Sequence, residues 1–289
     1  MGKLRLFEAF AGCGMQRRGV ENAGYEVEGV GISELDRNAV ISYAAIHCDM
    51  TMDMINNYEY PSREEMAEDL KRMNIDYDFK KKKPYDWDRI ARGKSKDLEK
   101  TWLACKLSKN MGDICIIDTI PDCDLFTFSY PCQDLSVAGA QRGMIKGETR
   151  SGLVYEVLRV LNNMKEQGEL PKFLLMENVD ALINKKNKPQ FALLNEEFDE
   201  LGYNVYYSII NAKDCSYPEV PTPQNRKRCF GMYIRKDLDN GNFTFPIPFD
   251  SGIRLKDILF EDVDEKYYIR NEKAQQLIDK LVESNEVCA

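Results

Sequence analysis

A thiol, a carboxylate and a pair of guanidinium groups stand where short apolar runs end or begin. Cys132 lies in Tyr130-Pro131-Cys132-Gln133-Asp134-Leu135-Ser136, directly after the apolar run 124–128. If that run is a parallel strand, its carboxyl end opens on the crevice where such sheets bind ligands, and the thiol is delivered there. Glu177 closes a second apolar run in Met176-Glu177-Asn178-Val179. Arg226 and Arg228 enter a third, 229–234, at an i, i+2 spacing that puts both on one face of a strand. A nucleophilic sulfur, a carboxylate and same-face arginines are what addition to a pyrimidine ring requires, since the ring must be polarised and protonated while sulfur attacks it. A lone cysteine is more often a small buried apolar residue; the convergence of the other groups on one chemistry favours the reactive reading.

His47 is the single histidine of 289 residues, which removes Ser-His, Cys-His and most histidine-metal chemistry. Nine cysteines without a C-x-x-C pair point to neither a disulfide framework nor a zinc ribbon, and no metal is expected. A second set of residues fits ligand binding. The run 4–10 ends in Ala11-Gly12-Cys13-Gly14 before a helix, a turn where a ligand can approach the backbone. Arg17 stands where a dinucleotide fingerprint has its third glycine, so a nucleoside without a pyrophosphate fits better; the turn alone fits a plain tight turn equally well. Ser33-Glu34-Leu35-Asp36 brings a carboxylate roughly twenty residues further on, where it can bind ribose hydroxyls. Gly112-Asp113-Ile114 supplies another that can hold an adenine amino group. Singly each is a surface acid, and the pairing with the glycine turn is what tells.

The elements that must position these groups follow from apolar periodicity. Residues 4–10, 26–32, 124–128 and 173–176 read as strands; residues 15–23, stopped by Gly24, and 37–46 read as helices, as does the apolar face Leu153, Val154, Val157, Leu158 and Leu161. This alternation predicts an α/β fold over residues 1–236 with a doubly wound, mostly parallel sheet. Residues 50–110 interrupt it with a capping box at Ser62 and Glu65, the lysine run 80–83 and an amphipathic stretch through Trp102, which predicts a helical insertion. With fourteen basic and twelve acidic residues, the insertion presents either a solvated face or a contact for DNA phosphates. The net charge of −8 argues against a nucleic-acid binder, but residues 237–289 hold twelve acidic and six basic residues, so most of the acidity belongs to the tail. No apolar stretch approaches bilayer length and the N-terminus reads as a strand, so a cytoplasmic protein with no membrane partner is expected.

In order along the chain, Phe10-Ala11-Gly12-Cys13-Gly14, Ser33-Glu34, Gly112-Asp113, Pro131-Cys132-Gln133, Glu177-Asn178-Val179 and Gln224-x-Arg226-x-Arg228 resemble the motifs of the cytosine-5 DNA methyltransferases. The wording of residues 131–136, 174–179 and 63–66 is similar to that of CG-specific bacterial enzymes of the mollicute type. The resemblance implies a fold of the S-adenosylmethionine-dependent methyltransferase type. It implies that Phe10, Gly12, Cys13 and Gly14 contact S-adenosylmethionine, Glu34 its ribose, and Asp113 with Ile114 its adenine. Leu35, where many members have Trp, would pack on the adenine with less stacking area, and Leu153 would line the same pocket. It also implies that Cys132 adds to carbon 6 of a cytosine flipped from double-stranded DNA. Glu177 would stabilise the protonated ring nitrogen, Arg228 with Arg226 would hold the carbonyl side, and Tyr130, Pro131, Gln133, Ser136 and Asn178 would surround the base. Residues 136–150 would form the loop that closes over it.

The resemblance covers residues 1–236. The long target-recognition region and closing motifs of the family are not found in 237–289, which read as an acidic tail and the start of a truncated or split recognition region. A second subunit or a missing segment carrying recognition is therefore expected, with the acidic tail as a docking site for a basic chain. A tRNA cytosine methyltransferase and an inactive methyltransferase-like subunit remain as alternatives; a nicotinamide dehydrogenase is the weakest.

Overall fold

Strands of alternating apolar residues form one six-stranded sheet in a computed structural model that describes residues 2–283 apart from 79–80, 134, 136–142, 146–148, 216–221, 223, 251, 255–256 and 269. In chain order the elements are β1 (Leu4–Ala9), α1 (Met15–Asn22), β2 (Val27–Ser33), α2 (Arg37–His47), α3 (Met52–Asn57), α4 (Arg63–Arg72), α5 (Trp87–Arg92) and α6 (Asp97–Leu107). There follow β3 (Leu125–Phe128), α7 (Val154–Gln167), β4 (Phe173–Val179), α8 (Lys188–Leu201), β5 (Tyr203–Asn211), α9 (Ala212–Cys215), β6 (Lys227–Arg235) and α10 (Glu272–Glu283).

The strand order is β2-β1-β3-β4-β6-β5. β1 to β4 pair in parallel, and only β6 is reversed, antiparallel to both β4 and β5. The chain winds outward from β1 to β2 and then crosses to β3 on the other side of β1. That reversal opens a crevice at the carboxyl ends of β1 and β3.

The period of two decides which face each strand residue serves. Phe7, Phe126, Phe128, Leu174, Met176, Cys229 and Tyr233 join one buried core with Val157 and Leu161 of α7 and Phe191 and Phe198 of α8. Leu125, Phe173, Leu175, Phe230 and Met232 take the other parity and face a cavity beside α1. Glu177 and Arg228 share that parity, so the same alternation that fills the core aims both toward the cavity.

Helices α3 to α6 build a second core with α2, in which Val40 and Ala44 meet Ile55, Met66, Leu70, Leu98 and the fully buried Trp87. The Trp87 indole donates to the Ile75 carbonyl at 3.1 Å, and that of Trp102 to Asp69 at 2.9 Å, so neither buried N–H lacks an acceptor. The capping box read at Ser62 and Glu65 starts α4. Lys80 lies outside the described residues, while Lys81 pairs with Asp78 at 3.2 Å in a reversal closed by the bridge between Asp78 and Lys83. In the tail, α10 carries an apolar stripe but buries no residue. Among the described residues no helix is long and apolar enough to cross a membrane.

Candidate active site

The first half of the site is the turn after β1. Phe10 and Gly12 both take left-handed φ values, 54° and 56°, and Gly14, at 79°, caps α1. The Phe10 amide donates to the Ser33 carbonyl at 2.8 Å, which ties the turn to the end of β2. Gly12 donates to Glu34 Oε2 at 2.8 Å, and Oε1 of the same carboxylate accepts from the amides of Leu35 and Asp36 at 2.8 and 2.9 Å. A side chain added at Gly12 would meet nothing within 4 Å, so the turn shows open space on that side. Gly14 is the opposite case: its Cβ would stand 2.4 Å from His47 Nε2 and 2.8 Å from the Tyr43 ring.

A second wall comes from residues 110–114. Asn110 accepts from the amides of Glu34 and Gly112, both at 3.1 Å, and donates to the Glu34 carbonyl at 2.9 Å. The Ser33 hydroxyl donates to the Gly112 carbonyl at 2.7 Å. Asp113 is 5% exposed, and its carboxylate accepts from the Cys115 amide at 3.0 Å and from Asn74 at 3.1 Å. The Cys115 thiol also bonds this carboxylate, which keeps acceptor capacity for a further donor. Ile114 is buried, and Leu153 ends a short 3-10 turn as the residue before α7.

The other half of the site is the edge formed by β3, β4 and β6. Glu177 Oε1 pairs with Arg228 Nε at 2.8 Å. Both, with Arg226, line a cavity of about 1050 Å³ that also touches Phe10, Gly12, Cys13 and Gln16. The Arg226 amide is fixed by the Asn211 side chain at 2.9 Å. Cys132 is half-buried on the loop after β3; it stands outside the described residues that line this cavity, as do Glu34, Leu35, Asp113, Ile114 and Leu153. Its loop is held on both sides: Asn178 donates to the Tyr130 carbonyl at 3.0 Å and the Ser151 hydroxyl to that of Pro131 at 2.7 Å. Gln133 accepts from Arg150 at 2.6 Å. Burial pushes the Tyr130 hydroxyl well above its ordinary value, so it stays a neutral donor, directed at Met144 sulfur. Ser136 and most of the stretch 136–150 lie outside the described residues.

The structure thus ties the glycine turn, Glu34 and the segment of Asp113 together, mainly through side chain to backbone bonds, and brings Glu177, Arg226 and Arg228 together around the cavity. Sequence reasoning missed Asn110 and Asn74, and it named Ser33 only as part of a motif, without its tie to Gly112. No local signal marks these roles, because the partners lie far away in the chain. Among the described residues no group of three or more potential ligands could hold a metal ion.

A methyltransferase of known structure shares this fold. The crystal structure of the S. pombe Dnmt2 methyltransferase matches it at a TM-score of 0.53 with 16% identity, covering 96% of this chain and 66% of that one. The model of the C-5 cytosine-specific DNA methylase family matches residues 89–287, and the chain belongs to that family. It is 40% identical over 271 residues to the type II methyltransferase M2.ScrFI of Lactococcus lactis subsp. cremoris, covering 93% of this chain and 71% of that relative. It is 39% identical over 235 residues to the orphan methyltransferase M.SssI of Spiroplasma monobiae, covering 79% of this chain and 58% of that relative. The Spiroplasma relative meets the mollicute likeness read from the motifs, and the family match runs past residue 236 into the acidic tail.

Proposed function

We propose that this chain is the catalytic part of a DNA methyltransferase that transfers a methyl group from S-adenosylmethionine to carbon 5 of cytosine in double-stranded DNA. The observation that carries the proposal is one cavity lined by both the glycine turn and the Glu177–Arg228 pair, with Cys132 on the loop at the same sheet edge. The donor set fits the cofactor: open space beside Gly12, a carboxylate at Glu34 for ribose hydroxyls, and acceptor capacity at Asp113 for an adenine amino group. Phe10, Cys13, Gly14, Leu35, Ile114 and Leu153 complete that assignment. When bound, S-adenosylmethionine supplies an electrophilic methyl group on a sulfonium.

The chain's own residues do the rest. Cytosine carbons 5 and 6 are inaccessible within the stack, so the base must leave the duplex and enter the pocket. Cys132 sulfur bonds to carbon 6, Glu177 holds the proton at the ring nitrogen, and Arg228, with Arg226 beside it, holds the carbonyl oxygen. Electron density then collects at carbon 5, which takes the methyl group. The carbon 5 proton passes to solvent water, its bonding electrons restore the 5,6 double bond, and sulfur departs with its electron pair as the thiolate. Tyr130, Pro131, Gln133, Ser136 and Asn178 are assigned to the wall around the base.

Sequence recognition is assigned to polypeptide outside these 289 residues, either continuous with them or in a second subunit for which the acidic tail is a docking site. The test is transfer of labelled methyl from S-adenosylmethionine to duplex DNA and to tRNA, with and without the remaining polypeptide supplied. Label in 5-methylcytosine of DNA is expected. Label in tRNA alone would select the RNA reading, and no label even in the complete assembly would select a binding subunit.

A further inference from the structure

The helical insertion reaches the cofactor side of the site through the short segment 73–76, between α4 and α5. Asn74 and Asp76 both take left-handed φ values, 56° and 58°, which turn this segment toward the sheet. The Met73 carbonyl accepts from the Asp113 amide at 3.1 Å, and Asn74 Nδ2 donates to Asp113 Oδ2 at 3.1 Å. The Asp76 amide donates to the Leu35 carbonyl at 2.9 Å, while its carboxylate accepts from the Arg37 amide at 3.1 Å and pairs with Arg37 Nε at 3.0 Å. Gly112 is shaped to admit the segment, since a Cβ there would stand 2.1 Å from the Met73 carbonyl oxygen. The segment is rigid on its other side. Ile75 is 1% exposed in the insertion core and its carbonyl is held by the Trp87 indole.

We infer that Asn74 is a positioning residue for the adenosine end of the cofactor site, acting by fixing the Asp113 carboxylate, while the backbone of Asp76 ties the same segment to Leu35. The inference rests on the cofactor assignment proposed above. A carboxylate turns freely unless its oxygens are held; the Cys115 amide holds one and Asn74 the other, with the Cys115 thiol also against the group, and acceptor capacity remains for an incoming amino group. The insertion is therefore part of the ligand site as well as a separate core.

The left-handed backbone at residue 74 is accessible to Asp and Gly as well as Asn, so two substitutions remove the amide without disturbing the turn. Asn74→Gly deletes the donor. Asn74→Asp sets a second carboxylate against Asp113 and repels it. Affinities for S-adenosylmethionine and for its 6-oxo analogue, which lacks the adenine amino group, are measured by calorimetry alongside thermal unfolding. For Asn74→Asp we expect a loss of S-adenosylmethionine affinity on the order of ten-fold or more and a narrowed preference over the analogue; the repulsion also lowers the unfolding temperature, and the comparison with the analogue separates that from the loss at the adenine amino group. Asn74→Gly should show the same pattern with a smaller loss. Unchanged affinity, or equal weakening of both ligands, would overturn the inference. Failure of the unsubstituted chain to bind S-adenosylmethionine would instead overturn the cofactor assignment itself, before any variant is compared.

Discussion

Behind the glycine turn, Glu8 is 2% exposed and accepts from the Tyr43 hydroxyl at 2.7 Å and the Arg17 amide at 3.2 Å. At the catalytic edge the side chains of Glu177 and Arg228 keep 27% and 18% of their exposure and are paired with each other. The first carboxylate is enclosed by β1, α1 and α2, and Gly29 makes room for the Arg17 guanidinium beside it, since a Cβ there would lie 2.8 Å from Nη1. The second stands where two strands end. The difference teaches that the side proposed to hold the cofactor is built into the fold, so its residues should govern stability and affinity together. The side proposed to react is laid over the fold, so its residues should govern rate with little effect on stability.

The largest effect that would break this contrast concerns Glu8. Burial pushes its carboxyl from the ordinary 4.5 up to about 7, against the opposing pull of the Tyr43 and Arg17 hydrogen bonds. Because the folded chain keeps this proton to higher pH than the unfolded chain, the associated stability is complete below the unfolded value and is lost as pH rises through about 7. A raise of this size corresponds to roughly 3 kcal/mol. Glu8→Gln is expected to remove that pH-dependent loss, which unfolding midpoints of the two proteins between about pH 4 and 8 would reveal. Parallel curves for the two would mean that the enclosed carboxylate is not the source.

Glu177→Gln is the smaller perturbation of the fold. A partly exposed ion pair is worth less than about 1 kcal/mol, so the unfolding midpoint should barely move. Methyl transfer should fall about 10²- to 10⁴-fold, as for loss of a group that manages a proton in the transition state. A large fall in stability with unchanged transfer would erase the distinction between the two halves.

The two halves also differ in how far they could be read from the sequence. The strand, glycine turn and following helix at residues 4–22 are local, and the Glu34 carboxylate follows at a spacing set by one βαβ step. Glu177 and Arg228 carry the parity of their strands, so that their shared face followed from alternation once the strands were recognised. Asn110 and Asn74 were not readable, because their bonds to Glu34 and Asp113 cross 76 and 39 residues. Strand β5 and helix α8 carry no pattern that the sequence alone resolves; Tyr203–Asn211 is an edge strand of mixed exposure and gives no clean alternation. The expected closing loop 136–150 falls mostly outside the described residues.

The central claim is a transient bond from Cys132 to a flipped cytosine, and trapping tests it most directly. Fluorine at carbon 5 cannot depart as the proton does, so the bond from sulfur to carbon 6 should persist after methyl transfer. In an assembly competent for transfer, duplex DNA containing 5-fluorocytosine and S-adenosylmethionine should give an adduct that survives denaturation and maps to the Cys132 peptide. Cys132→Ala should give none while still binding the cofactor. An adduct through any other residue, or undiminished methyl transfer by Cys132→Ala, would contradict the account.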